Sequence, residues 1–481
     1  MGEPHELTML AQAEAIRRRE LSARELVSHY LQRIETYDAR LGAFFTVTAE
    51  AALARAAEMD EAVAAGSPLP PLAGVPIAIK DLALTAGVRT TLGSSVFAGS
   101  VPSRDADVVA ALRTAGTINL GKTATSEFGN SLYCETRLGP PTRNPWDLSK
   151  TAGGSSGGAA AAVAAGLVAA AHGSDGGGSI RIPASICGLV GFKPSRGVVP
   201  DGPVGFGGFG LPTSGPLART VADAAALLDA MAAPTPGQPF HPPPSPPGGY
   251  LAAAGRRPPR CRVGRWTSPV LAEVNVDAAC LAAVDRAAAL LAAAGHEVVD
   301  VPAPVEPPIA DRFGVLWQAM SLATPVPPDR EAELEPITRW LREGGRQVSV
   351  SQLLATLSSL QQEVRAGARR YAEAGVDLLL SPVLAAPQAA VGWFRAAGDP
   401  AGDFARQAGF SPFCAVYNLT GNPAVSLPLA TDPHGAPVGV MLAAAPGADG
   451  LLLAVAGQLE ARAGWHPPPW PTPGSATVNG G

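Results

Sequence analysis

The chain of 481 residues carries 36 lysines and arginines against 41 aspartates and glutamates, a formal net charge of -5, which gives no electrostatic ground for binding nucleic acid or an anionic membrane. A hydrophobic content of 47% suits a core large enough for one big α/β domain or two or three smaller ones. The 54 glycines and 48 prolines punctuate apolar segments instead of forming one long tract, which argues against a largely disordered protein.

From Glu6 to Gly66, apolar residues recur at three- and four-residue spacing, which predicts N-terminal helices over 6–66. Ser22-Ala23-Arg24-Glu25 fits a capping box, followed by the apolar stripe Leu26, Tyr30, Leu31 and Ile34. The segment PLPPLAGVPIAIKD leads through a turn-rich entry into a buried strand, Val75 to Ile79, with Lys80 at its end. Strand ends in α/β sheets hold catalytic side chains rigidly. A lysine there can equally emerge into solvent, and position alone supports both. Composition adds weight to the first: the chain has only four lysines, Lys80, Lys122, Lys150 and Lys193, among many arginines. Arginine does not deprotonate in proteins, so a retained lysine is a candidate base.

Asp105 to Ala115 predicts a helix, Thr117 to Leu120 a strand and Thr125 to Phe128 the start of another helix. Gly116 to Thr123 matches the phosphate-binding pattern GxxxxGK[ST]. Ile118 and Leu120 stand at strand spacing where the phosphate-cradling turn belongs, so the segment reads as strand and a nucleotide-binding protein is the weaker alternative.

Thr151 to Pro183 holds two glycine-framed serine clusters, Ser155-Ser156 and Ser179, with an alanine-rich segment between them. Dense glycine is expected where backbone approaches something closely. A glycine-flanked serine can expose its hydroxyl, and consecutive glycine N–H groups can converge on one oxygen anion, as acyl transfer requires. Ser156 to Gly166 as a helix rises ~16 Å and Leu167 to His172 as a strand returns ~20 Å. Ser155 and Ser179 can therefore sit at the same end of one helix-strand unit. Gly153 to Gly157 also fits GxSxG, which needs a later acid and histidine; His172, His241, His296, His434 and His466 follow, none in a compelling context. The apolar run from Ala159 to Ala171 is too short for a bilayer.

Cys187 to Lys193 predicts a core strand and Val221 to Met231 a helix. Gly205 to Gly210, GFGGFG, satisfies GxGxxG without a strand-then-helix context, and reads as a flexible loop whose Phe206 and Phe209 face a ligand. Residues 233–259 are a proline-rich surface connection. Arg262 to Trp266, Asp277 to Ala294 and Glu297 to Val301 form a β-α-β pattern, and Val376 to Leu380, Ala424 to Leu429 and Val438 to Ala443 add strands, the last two joined by the turn Asp432-Pro433-His434-Gly435. Gly450 to Ala463 closes with a helix before a Pro/Gly-rich tail, 466–481. Five scattered cysteines and an N-terminus without a basic-then-apolar leader fit a reduced, cytoplasmic protein.

The chain resembles the amidase signature family in GVPIAIKD at 74–81, GKTATSEFG at 121–129, RNPWD at 143–147, GGSSGGAAAAVAAG at 153–166, GSDGGGSIRIPAS at 173–185 and GLVGFKPSRG at 188–197, with weaker similarity in NLTGNPAVSLPL at 418–429. The resemblance implies an α/β fold, a central mixed β-sheet covered by α-helices, as one domain over 1–481 with its signature core at 68–231 and a second part at 260–465. It implies a Ser-cis-Ser-Lys triad: Ser179 as nucleophile, Ser155 after a cis peptide bond as the bridge, and Lys80 as a base with its pKa drawn down toward ~7 to 8. The backbone N–H groups of Gly176, Gly177, Gly178 and Ser179 would form the oxyanion hole. Neither metal nor cofactor is implied, and the partner is a small-molecule amide bound by a monomer or homodimer. Gly176 departs from the larger residue usual in the family. It predicts a roomier acyl site tolerant of linear or cyclic amides, aryl amides, esters or carbamates. Candidate pocket walls are Phe128, Phe206, Phe209 and Trp317. The alternative within the family is the amidase component of a tRNA-dependent amidotransferase, from whose longer signature TSEFG at 125–129 departs. A non-catalytic binding protein is disfavoured because all three triad positions are filled.

Overall fold

The computed structural model describes residues 2–203 and 208–465. In chain order its strands are β1 (Phe44–Val47), β2 (Pro76–Lys80), β3 (Ile118–Thr123), β4 (Arg143–Asn144), β5 (Asp147–Thr151), β6 (Ala170–Asp175), β7 (Val190–Lys193), β8 (Thr213–Ala218), β9 (Arg262–Arg265), β10 (Glu297–Asp300), β11 (Leu378–Pro382), β12 (Ala424–Thr431) and β13 (Pro437–Ala444). Apart from the small β4-β5 ladder they form one 11-stranded sheet in the order β1, β3, β2, β6, β8, β7, β12, β13, β11, β9, β10. It is mixed: β2 runs parallel to β3 and β6, and β9 parallel to β10 and β11. The other pairs are antiparallel. The sheet joins the two halves of the chain where β7 pairs with β12.

Helices cover the sheet, and the expected α/β class is the observed one. The capping box is formed, with the Glu25 N–H donating to Ser22 Oγ and the Ser22 N–H to Glu25 Oε2. The alanine-rich helix Gly157–Ala164 is buried along almost its whole length. Small side chains let it press into the sheet: a Cβ on Gly158 would lie 2.4 Å from the Ala124 nitrogen and 2.5 Å from the Ala43 oxygen. Only glycine fits that approach.

Several expected elements shift. The strand expected at Leu167 to His172 forms three residues later as β6, set by its ladders to β2 and β8. The core strand expected over Cys187 to Lys193 forms as β7, three residues late, because the helix Arg181–Cys187 still holds Cys187 and ends at Gly188 with φ 72°. The helix expected from Thr125 is a single 3-10 turn, Glu127–Gly129, because Phe128 and Gly129 take left-handed backbone at φ 52° and 76°. A strand, β1, interrupts the N-terminal helices, and a short helix, Gly249–Ala254, lies within the proline-rich connection. Among the described residues no helix is long and apolar enough to cross a membrane. The five cysteines are buried and unbridged.

Candidate active site

The site gathers at the C-terminal ends of β2 and β6. β2 ends on Lys80, which is fully buried. Its amino group lies 2.7 Å from Ser155 Oγ, and also donates to the Ser174 hydroxyl at 3.0 Å and the Ser174 carbonyl at 3.1 Å. Burial pulls the Lys80 ammonium down to about 7, opposed only in part by Cys134 and Asp175, because a low-dielectric surround penalises the charged form. Ser155 precedes the alanine-rich helix, and the Gly154–Ser155 peptide bond is cis.

Ser179 follows β6 through the glycine turn 176–178. The Ser156 N–H donates to the Ser179 carbonyl at 3.2 Å, which joins the two ends of the helix-strand unit. A buried ionic network fixes this turn. Asp175 faces Arg181 through Nη2 at 2.8 Å and Nε at 2.9 Å, and its carboxylate accepts from the N–H groups of Gly178 at 2.7 Å and Ile180 at 3.1 Å. Asn418 donates to the same carboxylate at 2.9 Å and accepts from Arg181 at 2.7 Å. Burial alone would push the Asp175 carboxyl up; the Arg181 charge and hydrogen bonds, with Lys193 and Asn418, hold it well below the usual carboxylate range. The Gly178 N–H is therefore committed to Asp175. Among the described residues no acceptor is found for the N–H groups of Gly176, Gly177 and Ser179.

A cavity of about 170 Å³ opens beside Ser179 and Gly177. Its walls include Leu132, Phe313, Trp317 and Phe404, with Asn130, Gln407 and Ser411 among its polar groups. Asn130 Nδ2 and Ser411 Oγ are buried without a hydrogen-bond partner. Phe313 and Trp317 sit one turn apart on the helix Ile309–Met320, stacked with centroids 5.1 Å apart. The Trp317 indole N–H donates to the Asn130 carbonyl at 3.3 Å. Gly176 does not leave extra open space as expected: a Cβ there would lie 3.2 Å from the Trp317 ring, and one on Gly177 3.2 Å from Phe313. The missing side chains make room for these two rings.

Of the expected wall residues, Trp317 lines this cavity. Phe128 instead packs edge-on against Phe97, Phe209 packs against the main core, and Phe206 lies outside the described residues. Phe313 and Phe404 were not expected, although Phe313 stands four residues before Trp317 on a helix face. Gly121, Lys122 and Thr123 belong to β3, and Lys122 donates to the Ala83 carbonyl at 2.6 Å and Thr90 Oγ1 at 2.8 Å, which closes the nucleotide-loop alternative. His172 bonds Ser214 and His296 bonds Gln458, while Ser155 bonds Lys80, so neither of these histidines partners Ser155 as the GxSxG reading requires; His466 lies outside the described residues.

The family described as Amidase matches residues 25–453. The chain is 34% identical over 481 aligned residues to 6-aminohexanoate-cyclic-dimer hydrolase of Paenarthrobacter ureafaciens, covering 95% of this chain and 94% of that protein. It is 39% identical over 470 residues to a glutamyl-tRNA(Gln) amidotransferase subunit of Synechococcus sp., covering 92% and 94%. Among solved structures, 6-aminohexanoate cyclic dimer hydrolase complexed with substrate superposes with a TM-score of 0.86 at 32% identity, over 96% of this chain and 98% of that one.

Proposed function

The chain belongs to the amidase signature family of amidohydrolases, and from that premise we propose that it cleaves linear or cyclic amides through an acyl-enzyme on Ser179. The observation that carries the proposal is the buried 2.7 Å contact between Lys80 Nζ and Ser155 Oγ, with the lysine pKa drawn to about 7. A neutral amine at that distance accepts the Ser155 proton as Ser155 takes the proton of Ser179. Ser179 then attacks the amide carbon. Lysine returns the proton to the leaving amine, and water repeats the cycle on the ester.

The negative oxygen formed on attack would be met by the N–H groups of Gly176, Gly177 and Ser179. Gly178, also expected as a donor, is not counted among them because its N–H donates to Asp175. In other hydrolases one such donor is worth ~100- to 1000-fold in rate. Aryl amides, esters and carbamates fall within the same chemistry.

A turnover screen over amides, esters and carbamates of graded size tests the proposal, with Ser179→Ala as the blank and hydroxylamine to trap the acyl group as a hydroxamate. Turnover surviving in Ser179→Ala would overturn it. The similarity to a component of an amidotransferase favours a second reading, an amidase that acts within a complex. Full hydrolytic activity of the purified single chain separates the two.

A further inference from the structure

The cavity beside Ser179 has a charged rim. Its walls are mostly apolar, and Asp311, on the first turn of the helix Ile309–Met320, is exposed at its edge. Among the described residues no lysine, arginine or histidine lines it. Behind it lies a second cavity of about 170 Å³, lined by Glu127, Glu135, Glu335, Asp399 and Asp403, with Arg395 as the one cation among its described lining residues. The two share a wall: Gln407 lines the first, and its Nε2 donates to Asp403 Oδ1 in the second at 2.7 Å. The buried carboxylates of the second cavity are raised in pKa by burial and met by Arg395, Arg137 and hydrogen bonds, so the charge at the mouth of the Ser179 cavity is that of Asp311, and apolar walls focus the field of such a charge.

Resting on the amidase reading above, we propose that this cavity selects amides whose bound segment is an apolar chain ending in a primary ammonium, with Asp311 as its anchor. A cavity near 150 Å³ with apolar walls accepts a benzene-sized guest, so the space holds a chain of about six carbons. Its terminal ammonium reaches the rim and meets Asp311. A terminal carboxylate of the same length meets like charge, and a terminal methyl gains no contact there. The buried Asn130 and Ser411 side chains offer neutral polar contacts within the cavity and do not discriminate by charge.

The test uses the full chain and three amides of equal length, 6-aminohexanamide, hexanamide and the monoamide of adipic acid. A matched N-hexylacetamide series carries the ammonium, methyl or carboxylate end on the amine side, so either side of the scissile bond can enter the cavity. In the series whose variable end enters, kcat/KM is expected to be about fivefold higher for ammonium than for the neutral chain, and tenfold or more higher than for the carboxylate. Added salt narrows the gap. Asp311→Asn lowers the ammonium-to-neutral ratio toward one, and Asp311→Lys moves the preference to the carboxylate. Calorimetric binding of hexylamine, hexanol and hexanoate to Ser179→Ala reads the same order without turnover. Equal kcat/KM across both series, or a ratio unchanged in Asp311→Asn, overturns this inference and leaves the amidase reading standing. No hydrolysis of either neutral amide overturns the amidase reading, and the calorimetric order then decides whether the charge selection survives it.

Discussion

Acidification is the most direct perturbation of the proposed base. With Lys80 titrating at about 7, about nine-tenths of it is neutral at pH 8, half at pH 7 and about one-hundredth at pH 5. An exposed lysine near ~10.4 would be neutral in only ~0.4% of molecules at pH 8, so burial raises the working population about two-hundredfold. The assay is kcat/KM for an uncharged amide from about pH 5 to 9, because that ratio reports ionisation of the free enzyme. The expected profile rises with pH on a slope of one, bends near 7 and then levels. Lys80→Arg holds a fixed charge and is expected to lose turnover throughout. A flat profile across this range, or a rise that is still climbing with unit slope at about pH 9, would refute the assignment of Lys80 as proton acceptor.

Three further outcomes follow from the same network. Arg181→Met leaves the fully buried Asp175 without its partner and is expected to cost about 3 to 5 kcal/mol in urea unfolding; a loss below about 1 kcal/mol would contradict the account of the turn. Gly176→Ala places a Cβ 3.2 Å from the Trp317 ring and is expected to destabilise by about 1 to 3 kcal/mol and lower kcat/KM. Trp317→Leu is expected to recover part of both, and strictly additive effects would refute the contact. Burial also lowers Lys193 to about 7. Between about 7 and 10 the unfolded chain holds protons on Lys80 and Lys193 that the folded chain does not, so stability should rise with pH by up to about 1.4 kcal/mol per unit per lysine. Urea midpoints at about pH 7.5 and 9 check this, and Lys193→Met should flatten the slope.

Where sequence pattern and local chemistry agreed, the fold was legible. The helix Val221–Met231 and the hairpin of β12 and β13 around Asp432 to Gly435 stand where apolar periodicity and turn residues placed them. The parallel pair β9 and β10 flanks the helix Ala278–Ala293, capped by Asp277. What misled was polarity that tertiary partners neutralise. His172 to Asp175 reads as the end of a strand, yet those residues form the greater part of β6, because Ser214 and Arg181 supply partners for His172 and Asp175. The strand end carrying Lys80 was legible, whereas its 2.7 Å contact with Ser155 joins residues 75 positions apart and depends on the finished sheet. The pocket walls were hardest to read. Phe313, Phe404 and Ser411 meet at Ser179 only after the helix Ile309–Met320 docks, and no local motif marks them.

Asn418, which clasps both Asp175 and Arg181, has a consequence for how the protein is made. During synthesis the serine-bearing turn leaves the ribosome long before Asn418, and β7 leaves before the β12 strand that covers its edge. At typical elongation rates that interval lasts on the order of 10 to 50 s, during which β7 presents an unpaired edge and the Ser179 turn lacks a clasp. The nascent first half should therefore be inert toward substrate and vulnerable to association, and activity should emerge only once the last strands have been delivered.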